Sequence, residues 1–168
     1  MNTQKTQILN DKSVKQILRR LAYQVVENNF NEKELVIAGV EGRGTKVAAM
    51  LAEELAEISN IKLLLTDVVL DKSNPEEKQI VLSNTKIKVH NKVVIVVDDV
   101  LNTGKTLLYA LIPFVKDKAA KIQTLVLVDR NHKLFPVSAD YVGIALSTTL
   151  QEHIEVQIEK KKVNVFLK

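Results

Sequence analysis

Two adjacent carboxylates follow a run of five branched apolar residues. Val93 to Val97 contains only valine and isoleucine, and the next two residues are Asp98 and Asp99. Carboxylates accept hydrogen bonds from paired hydroxyl groups, and they hold Mg²⁺ directly or through water. The pair therefore predicts a site for a ligand with hydroxyl groups, with Mg²⁺ close to both side chains. The alternative is that one acid caps the turn that follows.

A short hydroxyl- and glycine-containing segment, Thr103-Gly104-Lys105-Thr106, comes next. Backbone N–H groups at the start of a helix, together with threonine hydroxyls, form a site for an anion such as phosphate. An ordinary capped helix start is the alternative. An ATPase P-loop requires a glycine five residues before Gly104, but that residue is Asp99. Its carboxylate would repel the phosphates, which disfavours an ATPase.

A second candidate anion site consists of Glu41, Gly42, Arg43 and Gly44, which follow another apolar run. Two glycines beside an arginine let the backbone approach a ligand closely, and Arg43 can pair with phosphate. Such a turn is common between strands and helices. At the same sheet edge as the first anion site, it indicates a ligand with two separate phosphate groups.

Two further polar groups have weaker signals. Asp129 and Arg130 open a polar run that also contains His132. This run is expected either to line a pocket or to form a solvated loop. Arg19 and Arg20 lie on a predicted helix, and Lys160–Lys162 form a polar turn. These basic residues form either a solvated surface or an RNA-binding face, and the net charge of +4 fits both.

Alternating strand and helix patterns must position these groups. Strands are predicted at Leu35–Val40, Ile61–Leu70, Val93–Val97, Ile122–Val128 and Tyr141–Ala145. Helices are predicted at Ser13–Asn29, with Ser13 or Asp11 as its N-cap, and at Gly44–Ile58 and Thr103–Ile112. Pro113 should end or kink the last of these helices. The polar segment Asp71–Lys78 is predicted to be a loop, and short flap strands are predicted after it at Gln79–Leu82 and Lys86–Val89. A C-terminal hairpin is predicted at His153–Ile158 and Val163–Leu167.

This order predicts a parallel sheet covered by helices on both faces. Ligands of such sheets bind beyond the carboxyl ends of the strands, so the polar groups after the strands should meet at one edge. The 168 residues suffice for one domain, and the absence of cysteine excludes disulfides and thiolate metal sites. No signal peptide or membrane-spanning run is visible, and a cytoplasmic location fits.

The segment VVIVVDDVLNTGKTL, Val93–Leu107, closely resembles the motif by which type I phosphoribosyltransferases bind 5-phosphoribosyl 1-pyrophosphate (PRPP). The segments ILNDKSVKQILRRLAYQVVE, VIAGVEGRG, VVDDVLNTGKTL and LVDRNHKLFPVSADYVG are similar, in this order, to the PyrR family. Its members are bacterial pyrimidine-operon attenuators that are also uracil phosphoribosyltransferases. The similarity covers nearly the whole chain.

The resemblance implies a role for each group of residues. Asp98 and Asp99 would bind the ribose hydroxyls of PRPP with Mg²⁺ nearby, and with Arg43 they would serve catalysis. The 5′-phosphate would lie on the segment Asn102, Thr103, Gly104, Lys105 and Thr106. Glu41, Gly42, Arg43 and Gly44 would form the pyrophosphate loop, and Asp129 and Arg130 would border the base.

One departure concerns a flexible loop that in the family opens with Tyr-Arg-Asp-Asp. The corresponding place here reads Val69 to Pro75, and the loop is shorter. The arginine that would reach over PRPP is missing, and Lys72 is only a partial substitute for it. This predicts reduced catalysis.

A second departure concerns the family's RNA-binding face. Arg20 keeps a basic position, but Tyr23 replaces a histidine, and Lys133 and Ser138 replace arginines. Losing basic contacts to phosphates weakens RNA affinity. Arg20 and Lys133 remain the candidate RNA-binding residues.

The fold implied by the resemblance is an α/β type I phosphoribosyltransferase domain over residues 1–168. It has a central parallel sheet flanked by helices, a small hood and a C-terminal hairpin. The implied function is transfer of phosphoribose from PRPP to a nucleobase, foremost uracil, by a Mg²⁺-dependent cytoplasmic homodimer or larger homo-oligomer that binds no membrane. The alternatives are an RNA-binding regulator of pyrimidine genes and a PRPP or nucleotide sensor with little catalysis.

Overall fold

The computed structural model describes residues 5–168, and the elements are numbered in chain order. The strands are β1 (Thr6–Leu9), β2 (Glu34–Val40), β3 (Lys62–Val69), β4 (Val81–Leu82), β5 (Val93–Leu101), β6 (Lys121–Asp129), β7 (Tyr141–Ala145), β8 (Ile154–Glu159) and β9 (Lys162–Leu167). The helices are α1 (Asp11–Asn28), α2 (Arg43–Ile58), α3 (Lys105–Ala110) and α4 (Ile112–Lys116). Within this range no helix has the length and apolarity needed to cross a bilayer.

The larger sheet has the strand order β4-β3-β2-β5-β6-β7, and β4 alone pairs antiparallel. Alternate residues of each strand face opposite sides, so Val97 packs with the buried side chains of α1 and α2, whereas Val96 packs with Phe114 of α4 and with α3. The predicted doubly covered parallel sheet is confirmed. Since β5 lies between β2 and β6, the polar segments after these three strands are brought together.

The smaller sheet has the order β1-β9-β8 and is antiparallel. The predicted C-terminal hairpin is confirmed as β8 and β9, whereas the four-residue strand β1 was not predicted because it is too short to show a pattern. Val156, Val163 and Val165 pack into the core beside α1 and α2. We call this smaller sheet the hood. The amide of Val163 donates to Asp11 Oδ1 at 3.0 Å, which ties the hood to the first turn of α1.

Several local predictions differ from the structure. Residues 86–89 do not form the predicted flap strand. Of the two predicted flap strands, only the first is present, as β4, which pairs with the outer edge of β3. The cap of α1 is Asn10 and not the predicted Asp11 or Ser13, because Asn10 Oδ1 accepts from the Ser13 amide. The helix predicted at Thr103–Ile112 starts at Lys105 and is interrupted at Leu111. Pro113 lies in the first turn of α4, where a backbone N–H would have no partner within the helix, so its missing N–H does not weaken the helix.

Replacing Asn10 with alanine is expected to lower the free energy of unfolding by about 1 kcal/mol, because the Ser13 amide loses its acceptor. Asn10→Asp retains an acceptor and should remain close to the wild-type value. Urea denaturation of the three proteins measures the difference. Equal stability of the alanine and aspartate variants would contradict this account of the cap.

Candidate functional site

A cleft opens at the carboxyl ends of β2, β5 and β6, beneath the hood. Its lining residues are Arg43, Lys72, Asp98, Asp99, Val100, Leu101, Asn102, Thr103, Gly104, Thr106, Leu107, Val126 and Ile154. Seven of the predicted site residues are therefore brought together: Arg43, Asp98, Asp99, Asn102, Thr103, Gly104 and Thr106. Glu41, Gly42, Gly44, Lys105, Asp129 and Arg130 lie around the cleft without lining it.

The two carboxylates are buried and belong to β5 itself, since this strand continues to Leu101. Asp98 is 5% exposed and Asp99 is 7% exposed. Two cations approach them, one from the first residue of α2 and one from the loop after β3. Arg43 Nη1 lies 3.5 Å from Asp99 Oδ2, and Lys72 Nζ lies 3.9 Å from Asp98 Oδ1. The acids are thus held as a partly neutralised pair that a ligand with hydroxyls or a cation can reach.

Burial, the largest cause, and the neighbouring charge of Asp99 together raise the pKa of Asp98 to about 8, while the charge of Lys72 acts in the opposite direction. Asp98 Oδ1 accepts a hydrogen bond from the Asp99 amide at 2.9 Å. The carboxylate consequently pays a desolvation cost that a metal ion or hydroxyl donors would offset.

The first turn of α2 is pressed against β5. A Cβ on Gly44 would lie 2.9 Å from the Val97 carbonyl oxygen and 3.0 Å from Asp98 Oδ1, so no larger residue fits. Gly42 precedes the helix with φ of +100°, a conformation that favours glycine. Both glycines thereby place Arg43 at the cleft, next to a helix N-terminus that attracts anions.

The loop from Asn102 to Thr106 forms the other wall of the cleft. Gly104 has φ of +85°, and a Cβ there would lie 2.6 Å from Val137 Cγ1. The amides of Leu134 and Phe135 both donate to the Thr103 carbonyl, at 2.8 and 3.0 Å. The loop is therefore held in shape by the segment after β6.

Lys105, in contrast, directs its ammonium group away from the cleft. Its Nζ lies 3.3 Å from the carboxylate of Glu76 in the loop Asp71–Lys78. Its backbone remains part of the predicted phosphate segment, where its amide donates to Thr103 Oγ1 at 3.3 Å. Asn102, by comparison, lines the cleft and is held by Arg130.

Arg130 is a buried connector. Its guanidinium donates to Thr148 Oγ1 at 2.7 Å, Asn102 Oδ1 at 3.3 Å and the Thr149 carbonyl at 3.0 Å, and also to the Glu152 carbonyl. These bonds join the loop after β5 to the segment that leads into the hood. The arginine thus fixes the relative position of two walls of the cleft.

Asp129 stabilises the turn that follows β6. One carboxylate oxygen accepts from the Asn131 amide at 2.9 Å, and the other lies 3.4 Å from Lys133 Nζ. His132 Nε2 lies 2.8 Å from the Thr148 carbonyl oxygen, which anchors the same turn to the segment before the hood. Both contacts hold the predicted base-site border in place.

The candidate RNA-binding side chains are engaged within the fold. Arg20 donates to the carbonyls of Val142 and Gly143 on the edge strand β7, and Lys133 is paired with Asp129. Nearby, Arg19 Nη1 lies 3.0 Å from Glu54 and 2.6 Å from Glu57. The basic charge of this surface is therefore partly neutralised by acidic neighbours.

Comparison with known proteins assigns the chain to a family. The model of the phosphoribosyl transferase domain matches residues 4–159. The chain belongs to the phosphoribosyltransferase family. Among curated relatives, "Bifunctional protein PyrR" of Clostridium acetobutylicum is 34% identical over 173 residues, covering 96% of this chain and 97% of its own. The protein of the same name from Pasteurella multocida is 32% identical over 165 residues, covering 91% and 90%.

Solved phosphoribosyltransferases have the same fold. A hypoxanthine phosphoribosyltransferase of Trypanosoma cruzi superposes with a TM-score of 0.79 at 17% identity, covering 95% of each chain. A second structure of that enzyme, from work on its C-terminal region, gives 0.77 at 18% identity and covers 95% of this chain and 90% of its own. The predicted type I phosphoribosyltransferase fold is confirmed.

Two of the lining residues that were not predicted come from parts of the chain far from β5. Ile154 reaches the cleft from the start of β8, and Lys72 reaches it from the loop after β3. Sequence offered no spacing that links Ile154 to β5. Lys72 was noticed only as a partial replacement for an arginine, and its approach to Asp98 depends on the folded path of the loop.

The residues present fit a shared Mg²⁺ site rather than a protein-only one. Within residues 5–168, no cluster of three or more His, Cys, Asp or Glu side chains could hold a metal ion. Mg²⁺ is commonly bound by one or two carboxylates plus water and substrate oxygens. Asp98 and Asp99 provide that number of ligands, facing the cleft where a substrate would supply the rest.

The buried Asp98 predicts a characteristic pH dependence of stability. Because its pKa is raised from 3.8 to about 8, the folded state binds more protons than the unfolded state between these values. Stability should therefore fall as pH rises through this window. Asp98→Asn cannot ionise, so its melting temperature should exceed that of the wild type at pH 8, with a gap that narrows towards pH 4.

Thermal denaturation of the ligand-free proteins across this pH range measures the gap. The exposed Glu77→Gln variant controls for the loss of one negative charge. A constant difference between Asp98→Asn and the wild type at all pH values would contradict the assigned ionisation.

Proposed function

We propose that this protein transfers the phosphoribosyl group of PRPP to a nucleobase, with uracil as the foremost candidate, and releases pyrophosphate. The observation that carries the proposal is the buried Asp98–Asp99 pair, which lies between the Arg43 turn and the Asn102–Thr106 loop in one cleft. A hydroxyl-binding pair between two anion-binding walls matches a sugar that carries phosphate at one end and pyrophosphate at the other. The family assignment supports the same chemistry.

In this proposal the cleft holds PRPP in one orientation. The ribose hydroxyls lie on Asp98 and Asp99, and the 5′-phosphate lies on the loop Asn102–Thr106. The pyrophosphate lies on the turn Glu41–Gly44 beside Arg43. The base then lies toward the hood, bordered by the turn that Asp129 and Arg130 hold in place.

The reaction breaks the bond between ribose C1 and the pyrophosphate oxygen, and the electron pair leaves with pyrophosphate. A nitrogen of the base forms the new bond to C1, and the proton that this nitrogen carried is released to water. Positive charge develops on the sugar while negative charge grows on the leaving group, so fixed cations near the pyrophosphate lower the barrier. Holding both ends of PRPP aligns C1 with the base.

Mg²⁺ completes the proposed site. Asp98 and Asp99 would hold it directly, through water or through the ribose hydroxyls, and the ion would neutralise charge on the leaving pyrophosphate. We also propose that the protein acts in the cytoplasm as a homodimer or larger homo-oligomer.

A panel assay tests the proposed activity. Purified protein is incubated with PRPP, Mg²⁺ and one of uracil, hypoxanthine, guanine, xanthine, adenine or orotate, and pyrophosphate release is followed. Turnover is expected with uracil above the others. PRPP binding without turnover on any base would favour the sensor alternative over the enzyme.

The double variant Asp98→Asn, Asp99→Asn tests the site. It should lose PRPP binding by at least about 100-fold in Kd, because two charge-assisted acceptors for the ribose and Mg²⁺ are removed. Isothermal titration calorimetry measures the affinity, with Glu77→Gln as the matched control. Unchanged affinity would refute the assignment of the pair to PRPP.

RNA binding is a second candidate function, favoured by curated relatives named "Bifunctional protein PyrR". The internal contacts of Arg20 and Lys133 leave fewer free cations for phosphates than the resemblance implies. We therefore expect weak binding of a pyrimidine-operon leader RNA.

Filter binding with that RNA, with and without uridine nucleotides, measures this function. Arg20→Gln and Lys133→Gln should each reduce the affinity and make its salt dependence shallower. Tight, nucleotide-dependent retention that neither substitution affects would show that a different surface binds the RNA.

A further inference from the structure

The helix pair α3–α4 is apolar on the side that faces away from the sheet as well as on the side that packs against it. Leu107, Ala110 and Phe114 are buried in the core. The outward side chains of the same two helices are also mostly apolar, and Val115 among them is 63% exposed. A helix that is apolar all round is normally covered on every side. The outward face of this pair is therefore a candidate binding surface.

This outward face is the floor of a groove. The segment after β6 closes one side of it, and the groove has a volume of about 540 Å³. Its walls are the aliphatic side chains of Leu108, Leu111, Ile112 and Val115 and the rings of Tyr109 and Phe135. This volume and this apolar lining are typical of sites for small molecules. None of these residues lines the cleft of Asp98 and Asp99, so the groove is a separate site.

One charged side chain, that of Lys116, completes the lining of the groove. It lies in the last turn of α4 and is exposed. Lys78 pairs with Asp71 and Lys105 pairs with Glu76, whereas the ion pairs found within residues 5–168 do not include Lys116. Small-molecule sites commonly combine apolar walls with one or a few polar groups that orient the ligand. The groove is thus complementary to a molecule with an apolar body and one anionic group.

The groove is joined to the loop Asn102–Thr106 through two of its walls. The Phe135 amide donates to the Thr103 carbonyl at 3.0 Å, and a Cβ on Gly104 would lie 3.3 Å from the Phe135 carbonyl oxygen. The opposite wall is α3, which begins directly after Gly104, and the Leu108 amide donates to the Gly104 carbonyl at 2.9 Å. A molecule in contact with both Phe135 and Leu108 would bridge the two elements that fix the shape of this loop.

We propose that this groove binds a small molecule with an aliphatic body and one carboxylate, and that its occupancy tightens the binding of phosphate by the loop Asn102–Thr106. The aliphatic body packs between Phe135 and the helix pair, and the carboxylate lies at Lys116. Because the molecule binds the loop conformation seen here, it favours this conformation over others, and the coupling between the two sites is reciprocal. The effect on phosphate affinity rests on the proposed function, whereas binding in the groove does not.

An NMR titration of the ¹⁵N-labelled protein with octanoate tests binding in the groove. Octanoate has the proposed chemistry, and a Kd of about 0.1 to 1 mM is expected for so small a ligand. The amide signals of Phe135 and Gly104 should shift, because both lie at the joined wall. The signal of Gly39, in β2, should stay in place. Shifts confined to residues outside the groove would overturn the proposal.

Two substitutions separate the roles of charge and apolar surface. Lys116→Gln should weaken octanoate binding about two- to fivefold and leave the affinity for 1-octanol unchanged, because only the carboxylate requires the ammonium group. Val115→Glu places a negative charge at an exposed position of the groove and should weaken octanoate binding at least about tenfold.

Lys12→Gln is the matched control, because it removes an exposed lysine from α1, on the opposite face of the sheet. It should bind octanoate as the wild type does, and melting temperatures confirm that each variant is folded. Equal octanoate affinity of Val115→Glu and the wild type would overturn the site. Sedimentation velocity tests another occupant. If the wild type self-associates and Val115→Glu does not, a second copy of the chain covers the groove and the small-molecule site is wrong.

The coupling is measured with ribose 5-phosphate. Saturating octanoate should lower its Kd for the wild type about fivefold, and this change should be absent in Val115→Glu. An unchanged Kd in the wild type overturns the coupling. Failure of the proposed function gives a different result, since the wild type then binds no ribose 5-phosphate with or without octanoate, while the octanoate titrations still decide whether the groove is a site.

Discussion

The structure depends on keeping two carboxylates in the interior of a parallel sheet. Asp98 and Asp99 are nearly inaccessible, and burial of an unpaired charge is costly. The fold meets this cost with Arg43 and Lys72, and by raising the pKa of Asp98 to about 8. A ligand that supplies hydroxyls and Mg²⁺ would offset the remaining desolvation cost of the two carboxylates. The buried pair would therefore favour such a ligand over one that has neither.

Close backbone packing makes that arrangement precise in space. Gly44 lets α2 approach β5 until a side chain would collide with Asp98, and Gly104 lets the opposite loop turn tightly beside Val137. Arg130 then fastens this loop to the segment that enters the hood. Since the groups on both walls are fixed by packed backbone, a substrate would encounter a cleft whose spacing is already set.

The sequence predicted the parts that local patterns determine. Apolar runs located β2, β5 and β6, and the rule that parallel strands share one ligand-binding edge brought Arg43, Asp98 and Thr103 to one cleft. Long-range contacts were beyond such patterns. Neither the engagement of Arg20 with β7 nor the pairing of Lys105 with Glu76 follows from spacing, because each joins residues whose distance is set by the complete fold.

The shortened loop brings a positive charge to the cleft although the arginine of the family's loop is absent. What the leaving group requires is positive charge at a fixed position, and several side chains can supply it. A long mobile loop supplies the charge at the entropic cost of ordering many residues on closure. The short loop here is already ordered by Asp71 and Pro75, so Lys72 reaches the cleft at a smaller cost. The absence of the arginine therefore changes how positive charge is brought to the cleft.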